Sequence, residues 1–146
     1  VNLTGVVLSN ADLSGANLMY ATLTGIDVDG ANLSGAKLGS APSGSVTGVP
    51  KALPSGWILG NGYFVGPAAN LQNANLAGLD LSGMNLTSIY LPYANLTNAN
   101  LANANLTYAF LYGANLTGAA TTGWTTTSAT WGQTTCPNGT VQNTAC

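Results

Sequence analysis

The side chains that could do chemistry are few. Asp12, Asp27, Asp29 and Asp80 are the only carboxylates, Lys37 and Lys51 the only cations, and there is no histidine. General acid/base pairs and activated nucleophiles cannot be assembled from this set, so the sequence predicts no enzyme. Asp27 and Asp29 flank Val28 and precede Gly30, and a carboxylate pair can hold Ca²⁺. Two carboxylates fall short of the roughly six to eight oxygens that ion takes, so no metal and no cofactor is expected. Gly60, Gly62 and Gly66 do not have the G-x-G-x-x-G spacing, and no βαβ pattern surrounds them, which argues against a nucleotide site. Cys136 and Cys146 are close enough for one local disulfide, a bond that persists in oxidising compartments. Two free thiols, or pairing with another chain, are the alternatives.

Charge is scarce everywhere. Charged residues make up 4% of the 146 residues and the net charge is −2, against roughly 25% charged in an ordinary soluble domain. So few cations cannot displace counterions from nucleic acid or dock on anionic lipid; no nucleic-acid partner is expected. The mean hydropathy is +0.24. No apolar run approaches the ~20 residues of a spanning helix, so no membrane insertion is expected either. Hydrophobic residues at 46%, regularly placed, argue against disorder.

What must position these residues is a repeat. From Leu71 to Leu116 every fifth residue is leucine, usually preceded by Asn, with Ala most often two positions before it, as in Ala94-Asn95-Leu96-Thr97-Asn98. The same pattern fills residues 1–40, where Leu3, Leu8, Leu13, Leu18, Leu23, Val28, Leu33 and Leu38 hold the leucine position. A period of five matches neither helix nor strand and marks an internal repeat. Val1-Asn2-Leu3-Thr4-Gly5 already has the pattern and no leader is visible, as expected of a processed chain or a fragment.

These motifs resemble the pentapeptide-repeat family, whose unit is A(D/N)LXX. The resemblance covers residues 1–40 and 69–118. It implies an all-β, right-handed quadrilateral β-solenoid with four pentapeptides per coil. The central leucine and the small residue two before it would point inward, and the other three positions outward. The organisation expected is one solenoid domain over 1–146: block one at 1–40, an insert at 41–67, block two at 68–118 and a Thr-rich capping tail at 119–146. Four of the six prolines lie in the insert. Its first part, 41–55, reads as an irregular excursion. Residues 57–65 read as a hairpin turning at Asn61-Gly62. Trp57, Tyr63 and Phe64 would supply packing for it. In the tail, Trp124 and Trp131 are large enough to plug the last coil, which needs a cap. The ending from Trp131 through Cys136 to Cys146 is similar to secreted bacterial members of the family.

Four repeats per coil stack residues 20 apart. Tyr90 and Phe110 then share one outward column, Pro92 and Tyr112 the next, and Tyr93 lies in a third, with Tyr108 at the corner. One wall thus gathers Tyr90, Pro92, Tyr93, Tyr108, Phe110 and Tyr112, an exposed patch of the kind that marks an interface, unless the insert folds over it. Columns of Thr such as Thr87 over Thr107 are interrupted by other residues and read as strand-forming. The Asn-X-Ser/Thr sequons at Asn2, Asn32, Asn85, Asn95, Asn105 and Asn115 follow from the motif; Asn138 adds one in the tail.

The function expected is that of an extracellular or cell-surface structural protein that associates with itself, head to tail as a filament or as a surface layer. An uncapped first repeat and the near-absence of repelling charge favour that pairing. The alternative is a secreted binding module whose aromatic wall takes a glycan or a protein. Some family members mimic DNA and inhibit topoisomerases; that needs an acidic surface, which four Asp against two Lys do not supply.

Overall fold

The computed structural model describes all 146 residues. The chain folds as two compact units, Val1–Asn70 and Leu71–Cys146. Regular strands are short: β1 (Leu23–Thr24), β2 (Ser43–Gly44), β3 (Ile58–Gly60), β4 (Tyr63–Val65), β5 (Thr134–Thr135) and β6 (Val141–Gln142). Most of the ordering comes instead from single parallel bridges between residues 20 apart. In the first unit Asn2 pairs with Thr22, Asp12 with Asn32 and Asn17 with Lys37. In the second, Asn75 pairs with Asn95 and Asn95 with Asn115, and Asp80 pairs with Asn100 and Asn100 with Ala120. A five-residue repeat cannot sustain a long strand, because the chain must turn in every repeat. Each turn closes on a residue at positive φ, occupied by Gly, Asn or Ser in most repeats, the types that reach this region most readily.

The Asn-Leu-Thr motif has a local cause. The Asn or Asp side chain accepts the backbone N–H two residues on, as Asn2 does from Thr4 at 3.0 Å and Asn105 from Thr107 at 3.0 Å. The Thr hydroxyl donates to the same oxygen at 2.6 Å in both repeats. Along the ladder the amide of one repeat reaches the carboxylate or amide 20 residues before it: Asn32 to Asp12, Asn95 to Asn75 and Asn100 to Asp80, at 3.0–3.2 Å. The sequon positions are thus turn-forming pairs.

In the second unit the leucines Leu71, Leu76, Leu81, Leu86, Leu91, Leu96, Leu101, Leu106, Leu111 and Leu116 and the alanines Ala94, Ala99, Ala104, Ala109 and Ala114 are all buried and fill the core. Ile89 is buried at one of the alanine positions, while Leu79 and Met84 are half-buried. In the first unit Leu23, Val28, Leu33 and Leu38 are buried and Leu3, Leu8, Leu13 and Leu18 are half-buried against them.

Residues 41–52 are not an irregular excursion; they continue the repeat. β1 pairs with β2 in parallel, Asp27 pairs with Thr47 and Asn32 with Ala52. Ala41 and Val46 take the inward small position and are buried. Pro42 is tolerated because its carbonyl still accepts Leu23 N–H at 2.9 Å; the ladder loses one donor, not the pairing. The interruption proper comes later. Pro42 pairs with Asn70, 28 residues on, so the third coil carries eight extra residues. They accommodate the antiparallel hairpin β3–β4, which turns at Asn61-Gly62 with both residues at positive φ. Phe64 enters the core at 2% exposure and its N–H donates to Ser43 Oγ at 3.0 Å. Trp57 packs against the same core and its indole lies over Gly66, where a Cβ would come within 2.4 Å of the ring. Tyr63 lies against Gly44. All three aromatic rings of the insert are thus engaged inside the first unit.

A candidate contact face of aromatic side chains

Tyr90, Pro92, Tyr93, Tyr108, Phe110 and Tyr112 of the second unit sit on one side of the ladder, from one turn position to the next. Tyr90 bridges to Phe110 and Phe110 to Thr130. The backbone holds each row on both sides: Tyr90 C=O accepts Leu71 N–H at 2.8 Å, Phe110 C=O accepts Leu91 N–H at 2.9 Å, and Phe110 N–H reaches Ile89 C=O at 2.9 Å. The rings of Tyr90 and Phe110 stack at 5.3 Å between centroids and 16° between planes. Because the stack follows the ladder, the paired rings face each other and turn their edges to solvent.

Pro92 is the buried member of the group, and its presence has a reason. In repeats that carry Asn two residues earlier the N–H at this position is taken by the Asn oxygen, as Thr87 N–H is by Asn85 at 3.1 Å. Tyr90 offers no such oxygen. Proline removes the donor that would be left without its acceptor, while its carbonyl still accepts Asn73 N–H at 2.9 Å.

Tyr93 and Tyr112 meet edge to face at 5.6 Å and 84°. Both rings lean over glycines of the following coil. A Cβ on Gly113 would come within 2.5 Å of the Tyr93 ring, and one on Gly132 within 2.7 Å of Tyr112. Tyr90, Tyr93 and Tyr108 are 40%, 54% and 63% exposed; Phe110 and Tyr112 are half-buried beneath them. No Asp or Lys occurs in 88–93, 108–113 or 128–133, the three rows of this side. The face therefore offers ring edges, tyrosine hydroxyls and amides, with no charge.

The other residues singled out from sequence lie apart from this face in chemistry. Asp12 and Asp80 replace Asn in the turn and accept Ser14 and Ser82 N–H at 3.0 and 3.1 Å. The serine hydroxyl first, then the serine N–H, holds each carboxyl below the usual carboxylate range. Asp27 accepts Ser9 Oγ at 2.9 Å and Asp29 N–H at 3.0 Å, and Asp29 accepts Val49 N–H at 3.2 Å. No group of three His, Cys, Asp or Glu comes together, and no helix is long and apolar enough to cross a membrane. Trp124 and Trp131 meet edge to face at 5.9 Å, both half-buried in the last coil. Beyond them β5 and β6 form an antiparallel hairpin that the Cys136–Cys146 disulfide closes. Thr134 is buried there and donates to Leu111 C=O at 2.8 Å.

The model of the pentapeptide repeats family matches eight copies over residues 1–35, 68–88 and 85–119, and the chain belongs to that family. Among solved structures it is similar to HetL, a pentapeptide repeat protein involved in heterocyst differentiation regulation from Nostoc sp. strain PCC 7120. The identity is 28% over 97% of this chain, with a TM-score of 0.53, and the chain spans 64% of HetL's length. It is also similar to the pentapeptide repeat protein Rfr23 from Cyanothece 51142, at 24% identity over 88% of this chain and 82% of that one, TM-score 0.46. Comparison with curated protein sequences gives no match.

Proposed function

We propose that this is a non-enzymatic structural repeat protein of the cell exterior that associates with a second copy of itself through the aromatic face of the second unit. The carrying observation is that face: Tyr90, Tyr93 and Tyr108 exposed together with no charged residue in their rows. Exposed aromatic patches usually mark interfaces. A second copy matches it in two respects. It brings no unpaired charge, and its rows have the same spacing, so ring edges of one copy fit between rows of the other as in a dry side-chain zipper. The disulfide fits an oxidising exterior. Bridges spaced by four five-residue repeats support reading each unit as turns of a right-handed, four-sided β-solenoid.

The contact is lateral, as in a surface layer. At the C-terminal end β6 pairs with β5 and occupies, on that side, the strand position a further coil would use. The face is about three coils tall, roughly 15 Å at the ~4.8 Å strand spacing. That is too small for the roughly 800 Å² per partner of a standard stable interface, so the contact is weak and concentration-dependent. Light scattering of the native chain should show mass rising with concentration, abolished by replacing Tyr90, Phe110 and Tyr112 with Ser. A mass that stays monomeric at the highest soluble concentration would contradict this reading.

One observation favours a binding module instead. Tyr93 lies on the backbone of Gly113 with over half its surface in solvent, as a ring that stacks on a sugar would. A glycan array separates the two: ligand binding lost in the Ser variants, with assembly unaffected, supports the module.

A further inference from the structure

The insert does more than add Phe64 to the first unit's core. Between the end of the repeat at 48–53 and the start of the hairpin it leaves a cleft of about 500 Å³, within the roughly 300–1,000 Å³ of small-molecule sites. The coils of the repeat stack directly on one another, so the hollow exists only where the eight extra residues interrupt them. Its apolar wall is already in place: Leu53, Trp57, Ile58 and Leu59 are half-buried, and the Trp57 indole is fixed over Gly66. Lys51 is exposed and is the one charged residue in the lining. Its backbone N–H donates to Ala31 C=O at 2.8 Å, but its ammonium has no hydrogen-bond acceptor in the chain. The carboxylates of the first unit are engaged elsewhere. Asp27 takes Ser9 Oγ and Asp29 N–H, and Asp29 takes Val49 N–H. Asp12 is held by Ser14 and Asn32, with Lys51 the least of the influences on its carboxyl.

We propose that this cleft binds a small apolar monocarboxylate, with its hydrocarbon body against Leu53, Trp57, Ile58 and Leu59 and its carboxylate at Lys51. Charge selects the class. A cationic amphiphile would meet Lys51 as a like charge, and a neutral one would leave the ammonium without a partner. A carboxylate supplies the missing acceptor as a charge-assisted hydrogen bond, while the walls remove the apolar body from water. The site belongs to the first unit and does not depend on the aromatic face of the second.

The test is isothermal titration calorimetry of the whole chain with sodium decanoate and, separately, with decyltrimethylammonium bromide, each below its micelle concentration. One decanoate per chain should bind, about tenfold more tightly than the cation of the same chain length. Lys51→Met keeps an apolar stem and removes the charge; it should weaken decanoate about tenfold and leave the cation no weaker. Val49→Glu places a carboxylate in the lining and should weaken decanoate at least as much. Both positions are exposed, so neither change should disturb the fold. The chain with Tyr90, Phe110 and Tyr112 replaced by Ser should bind decanoate as the native chain does, which separates the cleft from the aromatic face. The proposal is overturned by an absence of saturable binding or by equal affinity for the two amphiphiles. It is overturned equally by an affinity that neither cleft variant moves, or by decanoate binding that disappears with the three aromatic rings.

Discussion

At the scale of single residues, turns and hydrogen bonds decide what each repeat can carry. Gly113 has φ +68° and the Tyr93 ring above it. Gly113→Ala should therefore lose about 1–2 kcal/mol from the left-handed turn alone and more from displacing the ring; denaturant unfolding measures it. Asp12 and Asp80 bind their protons less well folded than unfolded, because the serine hydrogen bonds favour the charged form. Their contribution is present above the unfolded-state pKa and is lost as pH falls through the lower folded value. Both are exposed, so the effect is small. Asp80→Asn should flatten the acid limb of a thermal-midpoint titration run from about pH 6 to about pH 2, across the carboxylate range; an unchanged limb would show that the serine contacts do not bias folding. The role of Asp12 and Asp80 as stand-ins for Asn was legible from their place in the motif. The positive φ of Tyr93 and Tyr108 was not, because the repeat tells which position turns but not that tyrosine would occupy it.

At the scale of elements, stability comes from the inward ladder and its terminal lock. Leu96 is fully buried with Ala94 and Ala99 beside it in the repeat. Leu96→Ala should lose about 3–5 kcal/mol, since a rigid coil collapses poorly around the void; chemical denaturation would record it. Replacing Cys136 and Cys146 by Ser should lose about 3 kcal/mol, and hydrogen exchange should quicken first in β5 and β6. The inward and outward positions were readable along the chain because a five-residue period repeats without ambiguity. The path through 41–52 was not. Pro42 and Pro50 suggested a break, but the Pro42 and Val49 carbonyls still accept Leu23 and Gly30 N–H, Thr47 and Lys51 N–H still donate to the Ile26 and Ala31 carbonyls, and Ala41 and Val46 still fill the inside. The eight added residues that carry β3–β4 also hide the phase of the second block from a simple count. Where the rings of the insert go was equally beyond sequence: Trp57, Tyr63 and Phe64 turn to Gly66, Gly44 and the first unit's core.

At the scale of the whole molecule, what stands out is a chain almost without charge, with Tyr90, Tyr93 and Tyr108 exposed together on one side of the second unit, while Tyr20 is exposed in the first. The column that places Tyr90 against Phe110 follows from the repeat arithmetic and was legible. Ring orientation and depth, which separate the projecting Tyr93 and Tyr108 from the buried Pro92, needed side-chain packing. Self-contact through this face is the central claim, and hydroxyl-radical footprinting of the tyrosines at low and high protein concentration tests it most directly. The account predicts that Tyr90, Tyr93 and Tyr108 become protected as concentration rises while Tyr63, engaged within the first unit, keeps its labelling. Equal labelling of Tyr90, Tyr93 and Tyr108 at every concentration would contradict it.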